Sequence, residues 1–421
     1  MTRTAPSATT AGFSRDQRRT LTVLGISQAL GGAGMAAGIT VGALLAQDLL
    51  GSTSLAGLPA ALYTIGAAFG AAVLGRVSQR FGRRPGLALG NGIAALGSAG
   101  VVAGAAVRWP VLLLAALVVY GAGTVTGLLA RYAGADLAPP DRRGRAAGTV
   151  LFAMTLGAVV GPNLSGPTGE LAGTWGLPPL TGPFLLAAVA YAAAALVLVV
   201  WLRPDPLPPA PQSPAPQSPA PPGEAGSAPP GAHRAGRPAP GVVTGATVMI
   251  TAQLVMIAVM TMTPVHMAGH GHTTQAVGLV IALHVGAMFL PSPLSGLLTD
   301  RFGGRRVATA AGALLLSAGL LAGLAPPAST PLLACALVLL GVGWNLALLG
   351  GTAVLTDAAP AGNRAAVQGL ADTGMSVAGA TGGMVSGLVM GGSGYPVLTA
   401  AAGALALAVI PAVAMRSRRP A

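Results

Sequence analysis

No lysine occurs anywhere in these 421 residues, and cysteine appears once, as Cys335. A single thiol excludes an intrachain disulfide framework and a thiolate metal cluster. Charged residues make up 8% of the chain and aromatics 4%. A water-soluble domain carries about a quarter charged residues, so this chain lacks the material for a solvated surface. Also missing are a nucleophile–base arrangement, a phosphate-cradling loop and a nucleotide motif, which argues against an enzyme or an ATP-driven pump. The polar stretch ahead of the first apolar run has no cleavage pattern, so that run is expected to act as an uncleaved anchor.

What is present is apolar bulk. Hydrophobic residues reach 53%, mean hydropathy is +0.71, and apolar stretches of 18 or more residues recur from end to end, each long enough to span a bilayer as a helix. The pattern predicts an all-α polytopic membrane protein with 12 transmembrane helices in two six-helix halves. The expected organisation is an N-terminal tail (1–20), a first bundle (21–202), a Pro-rich linker (203–241), a second bundle (242–415) and a basic tail (416–421). The linker, with "PLPPAPQSPAPQSPAPPGEAGSAPP", has almost no apolar bulk and is expected to be an extended tether.

The net charge of +13 is carried wholly by arginine, and its distribution argues against nucleic acid. Arg15, Arg18 and Arg19 precede the first span. Alternate loops hold Arg76 to Arg84, Arg142 to Arg145, Arg301 to Arg306 and Arg364, and Arg416, Arg418 and Arg419 close the chain. Only Arg108 faces the other way. Arginine in alternate loops is the positive-inside pattern, which predicts both termini in the cytoplasm and, as partner, a lipid bilayer.

The halves repeat each other. "GRVSQRFGRRP" begins at Gly75 and "GLLTDRFGGRR" at Gly296, each after the second span of its half. Such duplication predicts a transporter with its substrate site between the halves, near mid-membrane. Both stretches resemble motif A of the major facilitator superfamily, G-x-x-x-D-R-x-G-R-R. The second copy matches at Gly296, Asp300, Arg301, Gly303 and Arg305. The first matches at Gly75, Arg80, Gly82, Arg83 and Arg84, with Gln79 in place of the acid. The resemblance implies gating loops in which that acid helps hold the cytoplasmic side shut.

Soft and nitrogen donors are unevenly spread. Residues Met249 to Met288 hold six of the 13 Met and four of the five His. Met256 and Met260 are four apart on span seven, and His284 and Met288 repeat that spacing on span eight, so each pair shares a helical face. At about 1.5 Å per residue, Met256 lies about 21 Å above Val242 and His284 about 15 Å below the opposite surface, both near the middle of the bilayer. Neutral thioether and imidazole donors without carboxylates suit Cu(I) better than zinc or hard cations. MxxxM followed by HxxxM on consecutive spans resembles the CcoA-like copper importers of this superfamily. That resemblance implies Met256, Met260, His284 and Met288 as ligands, and copper as transported substrate with no tightly bound cofactor. The same four residues also fit ordinary packing, since Met is a common filler of apolar gaps.

Met262, His266, Met267, His270 and His272, read as a loop beyond Pro264, are candidates for metal capture at the outer mouth or simply solvated residues. "GAVVGPNLSG" (157–166) resembles motif C of proton-coupled antiporters and equally suits close helix packing. Asp372 in span eleven is a candidate coupling carboxylate, with Arg131 as its partner. The expectation is an alternating-access copper importer in a bacterial cytoplasmic membrane, monomeric, with a cytoplasmic copper recipient. The alternatives are proton-coupled movement of an organic solute, of drug or riboflavin type, and a copper receptor that does not transport.

Overall fold

The computed structural model describes residues 14–50, 58–207, 239–407 and 409. Most of the expected N-terminal tail, all but the ends of the linker, and the basic C-terminal tail lie outside these residues. The first half comprises α1 (Arg15–Leu50), α2 (Leu58–Phe81), α3 (Arg83–Ala106), α4 (Pro110–Thr124), α5 (Thr126–Asp136), α6 (Arg143–Asn163), α7 (Ser165–Thr174) and α8 (Gly182–Trp201). The second comprises α9 (Pro240–Gly269), α10 (Thr274–Phe289), α11 (Ser292–Phe302), α12 (Gly304–Leu324), α13 (Thr330–Ala358), α14 (Arg364–Ser393) and α15 (Tyr395–Ala406). Among the described residues, nine stretches are long and apolar enough to cross a membrane. With α1, α14 and α15 in the first, eleventh and twelfth places, the order accommodates twelve.

Three spans are broken within their length. The α4–α5 break falls at Val125, flanked by Thr124 and Thr126, whose hydroxyls donate to the carbonyls of Gly121 and Gly123. Such back-bonding bends helices. The α10–α11 break holds Pro291, which lacks an N–H. The α6–α7 break at Leu164 follows Pro162 by two residues.

Pro264, by contrast, does not end its helix: α9 continues to Gly269. One proline removes a single donor, whereas unwinding the turn in an apolar setting would leave several backbone groups unsatisfied. Met262, His266 and Met267 therefore sit on the last turns of α9 rather than in a loop, and only His270 and His272 belong to the connection.

The duplication is visible in the packing. In the first half α1 lies on α6, α2 on α4, and α3 on α4 and α8; correspondingly α9 lies on α14, α10 on α13, and α12 on α13 and α15. The halves meet along two seams, α2 against α14 and α6 against α11. Glycine makes both possible. A Cβ on Gly75 would stand 2.8 Å from the Gly369 Cα, and one on Gly144 would stand 2.5 Å from the Gly296 carbonyl oxygen.

Candidate functional site

The arginine-bearing loops gather at one end of the seams, and there the motif A residues reach across to the opposite half. Asp300, near the end of α11, accepts hydrogen bonds from the backbone N–H groups of Gly144 (2.6 Å) and Arg145 (2.8 Å) at the start of α6. Gln79, near the end of α2, accepts one from the Ala365 N–H (2.7 Å) at the start of α14. Both side chains fill orphan donors at a helix N-terminus. The first-half copy does so with a neutral amide that makes one bond where its carboxylate counterpart makes two. Beside the Asp300 contact, Arg143 pairs with Asp357 at 3.2 Å across the same seam. These two line a cavity of about 150 Å³ together with Gly144, Thr299 and Thr356.

One layer deeper, charges are fully withdrawn from water. Arg131 on α5 donates to both carboxylate oxygens of Asp372 on α14, at 2.6 and 3.1 Å, with both side chains 0% exposed. Arg131 also donates to Thr352 of α13 (3.0 Å), and Tyr132 donates to Asp372 (3.3 Å). The structure thus brings the two candidate coupling residues together across the seam. Arg83, in the same layer, pairs with Asp136 of its own half at 2.8 Å and donates to Gln368 of the other. Gln368 in turn donates to Thr356. Asp136, Tyr132, Thr352 and Gln368 were not singled out in the sequence. Polar side chains inside otherwise apolar helices were the signal that could have found them.

The tetrad lies in the second half. Met256 and Met288 belong to one buried apolar cluster, and Met260 packs against it, partly buried. His284 is 0% exposed. Its Nδ1 stands 2.7 Å from the Leu337 carbonyl oxygen on α13. A carbonyl only accepts, so Nδ1 carries the proton and Nε2 of the neutral ring presents a bare lone pair. That Nε2 is buried and has no hydrogen-bond partner. Gly341 of α13 allows this close approach, since a Cβ there would stand 2.7 Å from the His284 carbonyl oxygen.

The outer histidines are arranged differently. His266 is buried and stacks on Tyr395 with ring centroids 4.1 Å apart. His270 donates from Nδ1 to the His266 carbonyl at 2.7 Å, leaving its Nε2 open. His272 has both ring nitrogens occupied, Nε2 on the Pro327 carbonyl (2.7 Å) and Nδ1 on Thr330 Oγ1 (2.8 Å). Met267 is fully buried and Met262 packs against the core. Among the described residues, no three His, Cys, Asp or Glu side chains converge as a metal set.

The first half holds a small cavity of about 10 Å³ at the α4–α5 break, lined by Gln28, Met35, Asn91, Thr124, Thr126, Met154 and Tyr191. Gln28 donates to the Gly127 carbonyl (2.7 Å) and Asn91 to the Leu87 carbonyl (2.8 Å). Thr124 and Thr126 likewise turn their hydroxyl protons to their own helix. Each amide keeps a second N–H and its carbonyl oxygen, and each threonine its oxygen lone pairs, so the group offers both donors and acceptors. Tyr63, Tyr120, Phe184 and Tyr191 form an aromatic cluster beside it.

Two repeated six-helix halves, closed by reciprocal caps at a basic end and carrying a buried ion pair on the seam, define a membrane transporter of the two-bundle kind rather than an enzyme. The sequence model of the Major Facilitator Superfamily matches residues 22–289 and 245–421, and the chain belongs to that family. It is 48% identical to the uncharacterized MFS-type transporter YddS of Bacillus subtilis (strain 168), over 96% of this chain and 92% of that one. It is 30% identical to the riboflavin transporter RfnT of Brucella anthropi, over 84% of this chain and 85% of that one. Among solved structures, the E. coli fucose:proton symporter FucP superposes with a TM-score of 0.73 at 14% identity, covering 96% of this chain and 100% of its own. A bacterial homologue of the iron transporter ferroportin, in an outward-facing state with soaked iron, gives 0.72 at 13%, covering 95% and 99%. These structural likenesses concern the fold. Transporters of this superfamily generally have no tightly bound cofactor, and the bilayer is the expected surroundings of the chain.

Proposed function

We propose that the chain imports copper as Cu(I) across a bacterial cytoplasmic membrane by alternating access, with the basic end in the cytoplasm and Met256, Met260, His284 and Met288 as ligands. The observation that carries this reading is the His284 ring. A metal-binding imidazole characteristically donates its second N–H to a carbonyl, which fixes the tautomer and raises the basicity of the ligating nitrogen. His284 has that arrangement toward Leu337, with Nε2 otherwise unpartnered. An unpartnered buried acceptor is unfavourable by about 1–3 kcal/mol, a penalty a bound cation removes. Thioethers at Met256, Met260 and Met288 supply soft donors without adding charge to the bilayer. Arg131 and Asp372 are the coupling candidates, and the outer histidines serve at most as a capture collar through His270.

The test is cellular copper accumulation for the wild type and for Met256→Ala, Met260→Ala and His284→Ala at matched membrane expression. Copper uptake above the empty-vector level that falls at least severalfold in all three supports the reading. Equal uptake in wild type and variants would sink it.

A second reading, uptake of a neutral organic solute, is favoured by the 30% identity to RfnT, with the first-half amides and tyrosines as its candidate contacts. Amides that can both donate and accept, beside tyrosine rings, suit a planar solute carrying N–H, O–H and C=O groups. Riboflavin uptake lost in Asn91→Leu but kept in His284→Ala would favour it.

A further inference from the structure

The linker is entered through a short turn that folds back under the basic end. Asp205 on this turn stands 122 positions from its partner Arg83. Its Oδ1 accepts the Arg83 N–H (2.9 Å) and the Leu207 N–H (3.0 Å), and its Oδ2 accepts the Arg84 N–H (3.0 Å). Gly82, at the N-cap of α3, has φ 101° and no side chain to cap the helix. The Asp205 carboxylate lies where a Cβ on Gly82 would stand. A cap normally contributed by the residue before a helix is thus supplied by the linker, and its charge complements the positive end of α3.

The second motif A copy is built otherwise. Gly303 has the same kind of backbone, φ 84°, at the N-cap of α12, but a Cβ there would meet nothing within 4 Å among the described residues. Among the described residues, the carboxylate cap is found on the first loop alone, the one in which Gln79 replaces the acid.

We propose that Asp205 is a positioning residue of the cytoplasmic gate, acting through Arg83. The Arg83 backbone is held by Asp205, while its guanidinium pairs with Asp136 and reaches across the seam to Gln368. The bond to Gln368 links the halves and exists only while they are closed at this end. Displacing the first turn of α3 withdraws Arg83 from it. The beginning of the linker is then part of the gate rather than a passive tether.

The experiment reads gate opening directly and needs no substrate, so it is independent of the copper reading. Ala147, buried beside the 150 Å³ cavity, is changed to Cys in a Cys335→Ser background. The rate of labelling by a membrane-impermeant maleimide is measured in inside-out vesicles. Asp205→Ala is expected to label about fivefold faster than the parent, the population change that loss of one ordinary helix cap produces. Asp205→Asn, which keeps one acceptor oxygen, is expected to fall between, and Asp205→Glu to restore the parental rate. If the alanine variant does not reach the membrane, the Asn and Glu variants carry the comparison. Parental labelling rates in both Asp205→Ala and Asp205→Asn would overturn the proposal, as would a Glu variant as fast as the Asn one.

Discussion

Arg131 and Asp372 form a fully buried ion pair across the seam. Each provides the other's counter-charge. Removing one member of such a pair leaves an uncompensated charge and typically destabilises by about 3–5 kcal/mol, whereas replacing both by apolar residues of similar size is often neutral. Asp372→Asn is therefore expected to lower the unfolding temperature of the detergent-solubilised protein markedly. Arg131→Met combined with Asp372→Leu is expected to restore much of that loss while transport remains defective. An Asn variant as stable as the parent would show that the pair does not contribute to the closed fold. Asp372 was conspicuous in the sequence because a carboxylate inside an apolar helix is rarely idle. Its bond from Tyr132, and that of Arg131 to Thr352, were not, since side-chain reach across a seam depends on helix rotation that spacing alone leaves open.

Among elements, the two motif A helices differ in the strength of their grip. Asp300 places a full negative charge at the N-terminus of α6, and Gln79 places a dipole at that of α14. A carboxylate in such a position adds about 0.3–1 kcal/mol over a neutral group at low ionic strength. Gln79→Asp is thus expected to hold the basic end shut longer and to reduce the turnover rate up to about fivefold, without altering the amount of protein in the membrane. Unchanged or faster turnover would contradict the view that this cap restrains opening. The internal repeat that located both loops was legible because duplicated glycines and arginines leave a pattern along the chain. The break of α4–α5 at Val125 and the continuation of α9 past Pro264 were not. Both depend on where freed backbone groups find partners, which is a tertiary matter.

At the scale of the whole molecule, scarce charge together with recurrent apolar runs of helix-spanning length delivered the class of fold, because helices satisfy their own backbone within a bilayer. The arrangement of the tetrad required three dimensions. The four-residue spacing put Met256 with Met260 and His284 with Met288, but the carbonyl that fixes the His284 tautomer comes from α13, 53 positions away. The Asp205 cap likewise had no local trace, lying in a segment whose composition suggested only a tether.

The ion pair on the seam also has an electrical consequence. Arg131 belongs to one half and Asp372 to the other, so parting the halves at the basic end separates a positive from a negative charge inside the membrane. A charge moved across the full membrane potential exchanges about 2.3 kcal/mol per 100 mV, and any displacement along the membrane normal takes a fraction of that. Where the parting has a component along that normal, opening the gate couples to voltage even when the cargo is neutral. Proteoliposomes on a solid-supported electrode are expected to give a transient current when substrate is added, and the Arg131→Met, Asp372→Leu protein a smaller one for the same binding. Equal transients from both would mean that the pair parts parallel to the membrane plane or stays together, and that the potential acts on the cargo alone.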